Sequence, residues 1–300
     1  MQQLFGGIEA GGSKFVCAVG DASGKIDKKI IIPTASPDET MPQVIKFFQG
    51  VHLNTPLAAI GIATFGPVDL DKNSPTYGYI TTPPKLGWGQ YDILGTVKKA
   101  FKIPVGFDTD VNGSAIGEYR WGAARGLDTF IYVTVGTGIG AGGMVSGKLM
   151  HGLIHPEMGH IFIPHDRARD DFDGVCPFHG DCLEGLATGP AMQKRWGVRA
   201  ASDLPLDHPG WDLEAEYLAR AFANYILILS PQRIIVGGGV MKRKEIFPKI
   251  GAKVQQMLNG YIKHEKILNK INDYIVPPEL GDQSGICGAM ALAEKAVNNE

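Results

Sequence analysis

No stretch of the 300 residues approaches the roughly 18 consecutive apolar positions that a bilayer-spanning helix needs. The opening MQQLFGGIEAGG lacks the basic stretch and long apolar core of an export signal. A cytoplasmic protein without a membrane partner is therefore expected. Cysteine is scarce: Cys17, Cys176, Cys182 and Cys287 are too few for a disulfide framework in a chain of this length. Net charge is nearly absent, with 29 Lys and Arg against 31 Asp and Glu. No basic tract is present that would grip a phosphate backbone, so nucleic acid is not an expected partner. Two familiar phosphate-binding signatures are also missing, GxxxxGK[ST] and a GxGxxG that continues into a helix and an acid. No sequence repeat recurs at a fixed period.

What the chain does have is apolar content, at 44%, and 40 glycines. The apolar share suffices for a large core, and the length suits two domains. Short β-rich runs alternate with longer helical patterns, which predicts an α/β protein. Three runs lead straight into glycine loops: LFGGIEAGGSK at 4–14, FIYVTVGTGIGAGG at 130–143 and RIIVGGGVMKR at 233–243. The first continues as a β-hairpin that turns at Gly11, Gly12 and Ser13 and again over 21–24. The flanks of GTGIGAGG also look like the strands of a hairpin. AAIGIATFGPVD at 58–69 is a further strand, and IPVGFDTDVNGSAIGEYRWG carries one more into a helix near Val111 to Trp121. Residues 154–182 lose periodicity and read as an irregular insertion that needs a cross-link. SGICGAMALAEKAV predicts a closing helix. Strand-then-glycine-loop in both halves hints at two similar domains. We expect 1–118 plus 284–300 to form a smaller one, and 119–283 a larger one carrying the insertion.

Glycine lets successive backbone amides converge on an anion, so the three loops point to a nucleotide. Gly11 and Gly12, Gly136 and Gly138, and Gly237, Gly238 and Gly239 would supply amides, with Ser13 and Thr137 adding hydroxyls and Lys14 a charge. Phosphoryl transfer to a hydroxyl needs a carboxylate to accept the proton, and Asp110, at the start of a predicted helix after a strand, is the candidate. The competing role for Asp110 or Asp108 is a helix N-cap. Glu157 and Glu184 are candidates to hold the hydroxyls of a hexose, whose polar groups need fixed partners. His160, Cys176, His179 and Cys182 offer two imidazoles and two thiolates, a set suited to a closed tetrahedral zinc site. His151, His155 and His165 compete for the fourth position. Four protein ligands would leave no open coordination site, which implies a structural metal.

Taken in order, these motifs resemble the ROK family (repressors, open reading frames and sugar kinases), and within it the bacterial zinc-containing fructokinases. GIEAGGSK, VTVGTGIGAGG and IIVGGGVM are similar to its nucleotide motifs, DTDVNGSAIGE to the segment with the catalytic aspartate, and HPEMGHI with CPFHGDCLEG to its metal and sugar signature. The resemblance covers essentially the whole chain. It implies two RNase H-like domains of the actin/hexokinase ATPase type around an interdomain cleft, commonly a homodimer, using ATP and Mg²⁺ and holding Zn²⁺. It places Asp110 as the base. Gly66, Pro83, Thr109, Glu157, His160 and Glu184 would lie against the sugar, and Gly189 and Pro190 would join the loops around the nucleotide. Many members carry Asp where this chain has Glu9, Asn where it has Thr109, and a third Cys where it has His179. TTPPKLGW at 81–88 resembles a fructokinase segment and favours D-fructose, phosphorylated to fructose 6-phosphate, over mannose or glucose. A sugar-responsive regulator without kinase chemistry is the alternative from a different class. The first phosphate motif begins by residue 6, leaving no room before it for a DNA-binding helical domain.

Overall fold

The structure is a computed structural model that describes residues 3–83 and 85–298; Pro84, within TTPPKLGW, lies outside them. In chain order the elements are β1 Leu4–Ala10, β2 Lys14–Asp21, β3 Ile26–Pro33, α1 Pro37–His52, β4 Leu57–Thr64, β5 Tyr79–Ile80, β6 Tyr91–Asp92, α2 Ile93–Ala100, β7 Val105–Thr109 and α3 Asp110–Trp121. There follow β8 Phe130–Val135, β9 Ile139–Val145, β10 Lys148–Leu149, α4 Leu183–Ala187, α5 Gly189–Trp196, α6 Gly210–Leu229, β11 Ile234–Gly237, α7 Ile246–Leu258, α8 Glu265–Leu268, α9 Ile271–Tyr274, β12 Ile275–Val276 and α10 Ser284–Asn298. Among the described residues no helix is long and apolar enough to cross a membrane.

Contacts divide the chain into two units. One runs to Gly126 and takes in Leu149–Pro156 and the chain from Asp282 onward; the other comprises Leu127–Lys148 and Glu157–Gly281. The first boundary falls later than residue 118 because Glu118 holds the turn after α3. Its carbonyl accepts from the Gly122 and Ala124 N–H groups, and its carboxylate from that of Ala123 at 2.7 Å. The return of Leu149–Pro156 to the first unit has no counterpart in the sequence reading. Two histidines secure it: His151 bonds Asp108, and His155 accepts from the Val68 N–H.

Each unit is built on the same sheet plan. The first sheet has the order β3-β2-β1-β4-β7, and the second β10-β9-β8-β11-β12. In each, an antiparallel hairpin is extended by two parallel strands: β1/β2 then β4 and β7, β8/β9 then β11 and β12. The central strands are covered on both faces and accordingly read as continuous apolar runs. β3, at an edge, keeps most of its side chains exposed, including Lys28 and Lys29, which discourages further pairing.

One face of the first sheet packs on α1 and α2 through Ile8, Phe48, Ile60 and Val97. The other receives α3 and α10 through Ala63, Ile116, Ile286 and Ala289. Here backbones touch. A Cβ on Gly61 in β4 would lie 1.9 Å from the Ala289 carbonyl oxygen, and one on Gly288 in α10 would lie 1.6 Å from that of Gly113 in α3. The helix end is fixed by the Ser284 hydroxyl donating to Glu118 at 2.7 Å, and farther along by an Arg120–Glu294 ion pair at 2.8 Å. We predict that Gly61→Ala lowers stability by about 1–3 kcal/mol or more through overpacking. Gly12→Ala, whose Cβ would meet nothing within 4 Å, should stay within about 0.5 kcal/mol of the parent. Urea unfolding of both variants checks this, and equal midpoints would refute the close-packing account.

Candidate active site and metal centre

Three consecutive residues at the β7–α3 junction divide three tasks. Thr109 is extended, and its hydroxyl accepts from the Asn112 N–H at 3.2 Å, so it is the N-cap of α3. That leaves neither aspartate in the cap. Asp108 is buried; its Oδ1 accepts from the Thr109 N–H at 2.7 Å and the Asn112 amide at 2.8 Å, while its Oδ2 lies 2.9 Å from His151 Nε2. This hydrogen bond raises the His151 pKa above its ordinary value. Asp110 occupies the first helical position, its Oδ1 accepting from the Val111 N–H at 2.9 Å. Burial pushes the Asp110 carboxyl up to about 6, against the lowering effect of its backbone hydrogen bonds. Glu9, near the end of β1, is pushed up to about 7, first by burial and then by the charge of Asp110. The first unit thus presents a pair of carboxylates that titrate close to neutrality, beside a third that is fully engaged in bonding.

The β1–β2 turn closes with the Gly11 N–H donating to the Lys14 carbonyl at 3.0 Å, and Thr34 ties it down by donating its hydroxyl to the Gly11 carbonyl. Gly12, Ser13 and Lys14 remain exposed. Gly66 sits against the His155 ring, which a Cβ there would approach to 3.2 Å. Pro83 is half-buried, and Trp88, at the end of its segment, is anchored by an indole N–H bond to the Ala35 carbonyl at 2.8 Å and by ring contact with Phe15.

In the second unit the two remaining glycine loops meet the start of α5. The Gly189 N–H donates to the Gly136 carbonyl at 2.8 Å, and a Cβ on Gly136 would come within 3.8 Å of the Gly239 nitrogen. Gly238 has a φ of +97° and abuts the Val135 backbone, a conformation and a proximity that suit glycine alone. Thr188 caps α5 by accepting from the Ala191 N–H, and Pro190 lies in its first turn. Gly136, Thr137, Gly138, Gly189, Pro190, Gly237, Gly238 and Gly239 therefore form one neighbourhood. Glu184 lies beneath it, with Oε2 accepting from the Ile139 N–H at 2.9 Å.

The other oxygen of Glu184 faces His160 Nε2 at 3.7 Å. His160 turns its Nδ1 to Cys176 Sγ and Cys182 Sγ, each at 3.6 Å, and His179 Nδ1 lies 3.6 Å from Cys176 Sγ. All four ligand atoms fall within 4.8 Å of one another. Zinc bonds of about 2.3 Å to sulfur and about 2.0–2.1 Å to nitrogen give a tetrahedral edge of about 3.6 Å, so the donor set fits zinc in both chemistry and spacing. The three competing histidines are engaged elsewhere: His151 and His155 in the first unit, and His165 with Asp181 at 2.9 Å. Glu157 is exposed, its carbonyl accepting from the His160 N–H.

Sequence reasoning did not find the Asp108–His151 pair; it gave the place of the start of α5 beside the loops only through the family resemblance, at Gly189 and Pro190. The first joins residues 43 apart in the chain and leaves no local signal. The second is legible in Thr188-Gly189-Pro190, a cap followed by proline.

The family model described as ROK family matches residues 5–296. A Bacillus subtilis (strain 168) protein with fructokinase in its name is 53% identical over 99% of this chain and 97% of its own length. The fructokinase of Pediococcus pentosaceus is 45% identical over 99% of each. The fold is shared with a ROK family glucokinase from Streptomyces griseus in complex with glucose and AMPPNP. That structure has a TM-score of 0.75 at 23% identity, covering 98% of this chain and 100% of the other.

Chelation followed by dialysis should remove about one zinc per chain and lower the melting temperature, with recovery on adding zinc back. Cys182→Ser should purify with little zinc. Elemental analysis matching the parent in that variant would remove Cys182 from the ligand set.

Proposed function

The chain belongs to the ROK family, and on that premise we propose that it is an ATP-dependent fructokinase, converting D-fructose to fructose 6-phosphate. The observation that carries the mechanism is the division of labour at 108–110. Because Thr109 takes the cap and Asp108 the bonding network, the Asp110 carboxylate is left for proton transfer.

In this reading Asp110 accepts the proton of the attacking sugar hydroxyl as its oxygen bonds to the γ-phosphorus and the bond to the β-phosphate oxygen breaks. A base with a pKa of about 6 is ionised at neutral pH yet basic enough to share the proton as attack proceeds. The unit around Gly136, Gly189 and Gly239 supplies backbone N–H groups and the start of α5 for the nucleotide. Gly11, Gly12, Ser13 and Lys14 add donors and a positive charge for the phosphates. Glu9 is a fitting carboxylate toward Mg²⁺, an ion that, when bound, neutralises phosphate charge. Gly66, Pro83 and Thr109 are assigned to the sugar in the first unit, and Glu157, His160 and Glu184 in the second. His160 suits a double role: with Nδ1 directed to the thiolates, Nε2 stays available to a hydroxyl, and its 3.7 Å separation from Glu184 leaves that carboxylate open as well. The zinc loop then acts as a structural brace for these contacts. We further assign the protein to the cytoplasm, consistent with its four free thiols, and to a homodimer.

The first test is ADP release with MgATP and fructose, mannose or glucose. The highest kcat/KM is expected with fructose; a higher value with either aldose would overturn the substrate assignment. Asp110→Asn should lower kcat by about 10²–10⁴ with fold and zinc retained. Ionised Asp110 is the active form, so kcat/KM should fall tenfold per pH unit below a midpoint near 6. A profile flat between pH 5 and 8 would argue against Asp110 as base.

A further inference from the structure

Beside the Asp108–His151 pair, the first unit contains a groove of about 810 Å³ along the edge strand β7. Its size is that of a small-molecule site. Phe101, Phe107 and Leu292 form a buried apolar base, and Tyr77 stands edge-on to Phe107 with ring centroids 6.2 Å apart. The charge on its walls is one-sided. Lys72, Lys98, Lys102 and Lys295 line it, drawn from three separate stretches of chain, and Asp108 is the sole acid among the lining residues. That acid is already bonded to His151, which also lines the groove. None of the four lysines is held in an ion pair with a described residue, although Lys98 lies over the Tyr77 ring at 5.7 Å. In a chain with almost no net charge, four lysines converging on one concavity against a single carboxylate leave a charge that a ligand would neutralise.

We propose that this groove is a second ligand site, separate from the phosphoryl-transfer site, which binds a small phosphorylated molecule carrying two or more phosphate charges. Ammonium groups bind phosphate as mobile point charges and tolerate several phosphate placements. The Tyr77 and Phe107 rings give a carbon ring a surface to rest on. Because Asp108 closes the groove and also bonds the Thr109 N–H, an occupied groove would touch the network next to Asp110.

The test is calorimetric titration of the full chain, with fructose and AMPPNP-Mg²⁺ present in excess to fill the phosphoryl-transfer site. Fructose 1,6-bisphosphate and, separately, inorganic pyrophosphate serve as probes. One-to-one binding that weakens with salt is expected, and the combined change Lys98→Glu with Lys102→Glu should weaken it about tenfold or more. Both lysines are exposed, so melting temperature and basal turnover should stay at parent values. Tighter binding of the bisphosphate would support a sugar phosphate, and equal binding of both probes would support the phosphate groups alone as the determinant. No binding of either probe, an affinity untouched by the double change, or citrate binding as tightly as the probes would each overturn the proposal.

Discussion

The first unit depends on one constraint, the closeness with which α10 lies on the sheet and on α3. Where a helix carbonyl sits under 2 Å from the place a Cβ would take on Gly61, no side chain can intervene, and the separation of the elements is set by backbone atoms. Packing of that kind resists small displacements, since overlap at such distances costs energy steeply. α10 touches β4 and α3 together, and β7 as well, where a Cβ on Gly106 would meet the Leu292 carbonyl at 2.2 Å. The β7–α3 junction is thereby fixed from the C-terminal end of the chain, so the position of Asp110 is determined by residues more than 170 positions away.

A second consequence concerns charge. Placing two carboxylates three residues or fewer apart at a buried helix start would ordinarily force one to stay protonated. Here Asp108 is supplied with a backbone N–H, an amide and an imidazole, whereas Asp110 receives little beyond the helix-start N–H. The first is held in a bonding network, whereas burial with few donors raises the pKa of the second. The two neighbouring aspartates thus differ in the number of hydrogen-bond partners each faces.

Much of this was legible in the order of residues, and the parts that were not share a physical cause. Strand-to-glycine transitions located both hairpins, a strand running into a helix marked the one beginning after Thr109, and fading periodicity marked the 154–182 insertion, because periodicity and turn chemistry are local. The closing helix was legible from its small residues. The return of Leu149–Pro156 to the first unit was not, because it rests on His151 and His155 finding partners far away in sequence, and a lone histidine carries no mark of its partner. For the same reason the metal cluster could be listed by residue type while its fourth member could not be chosen. His155 and His160 are chemically equal on paper; in the structure His155 accepts from the Val68 N–H, while His160 lies with Cys176, His179 and Cys182.

The proposed metal centre also has a reason to lie where it does. Residues 161–182 contain almost no regular structure, so little backbone pairing resists their loss of order. Yet this stretch ends at Cys182, the residue before α4, whose Glu184 holds the Ile139 N–H at the foot of the second glycine loop. Movement of Cys182 would therefore be transmitted through one turn of helix to Glu184 and from there to the loop. Under the proposal above, four ligands closing on one ion would fix Cys182 and His160 at once, and both ends of the Glu184 carboxylate would then face groups that are held: His160 on one side and the Ile139 amide on the other. A purely apolar anchor could fix α4 but would not orient the two nitrogens of His160. A tetrahedral metal requires a given ring direction, and so sets which nitrogen faces the carboxylate.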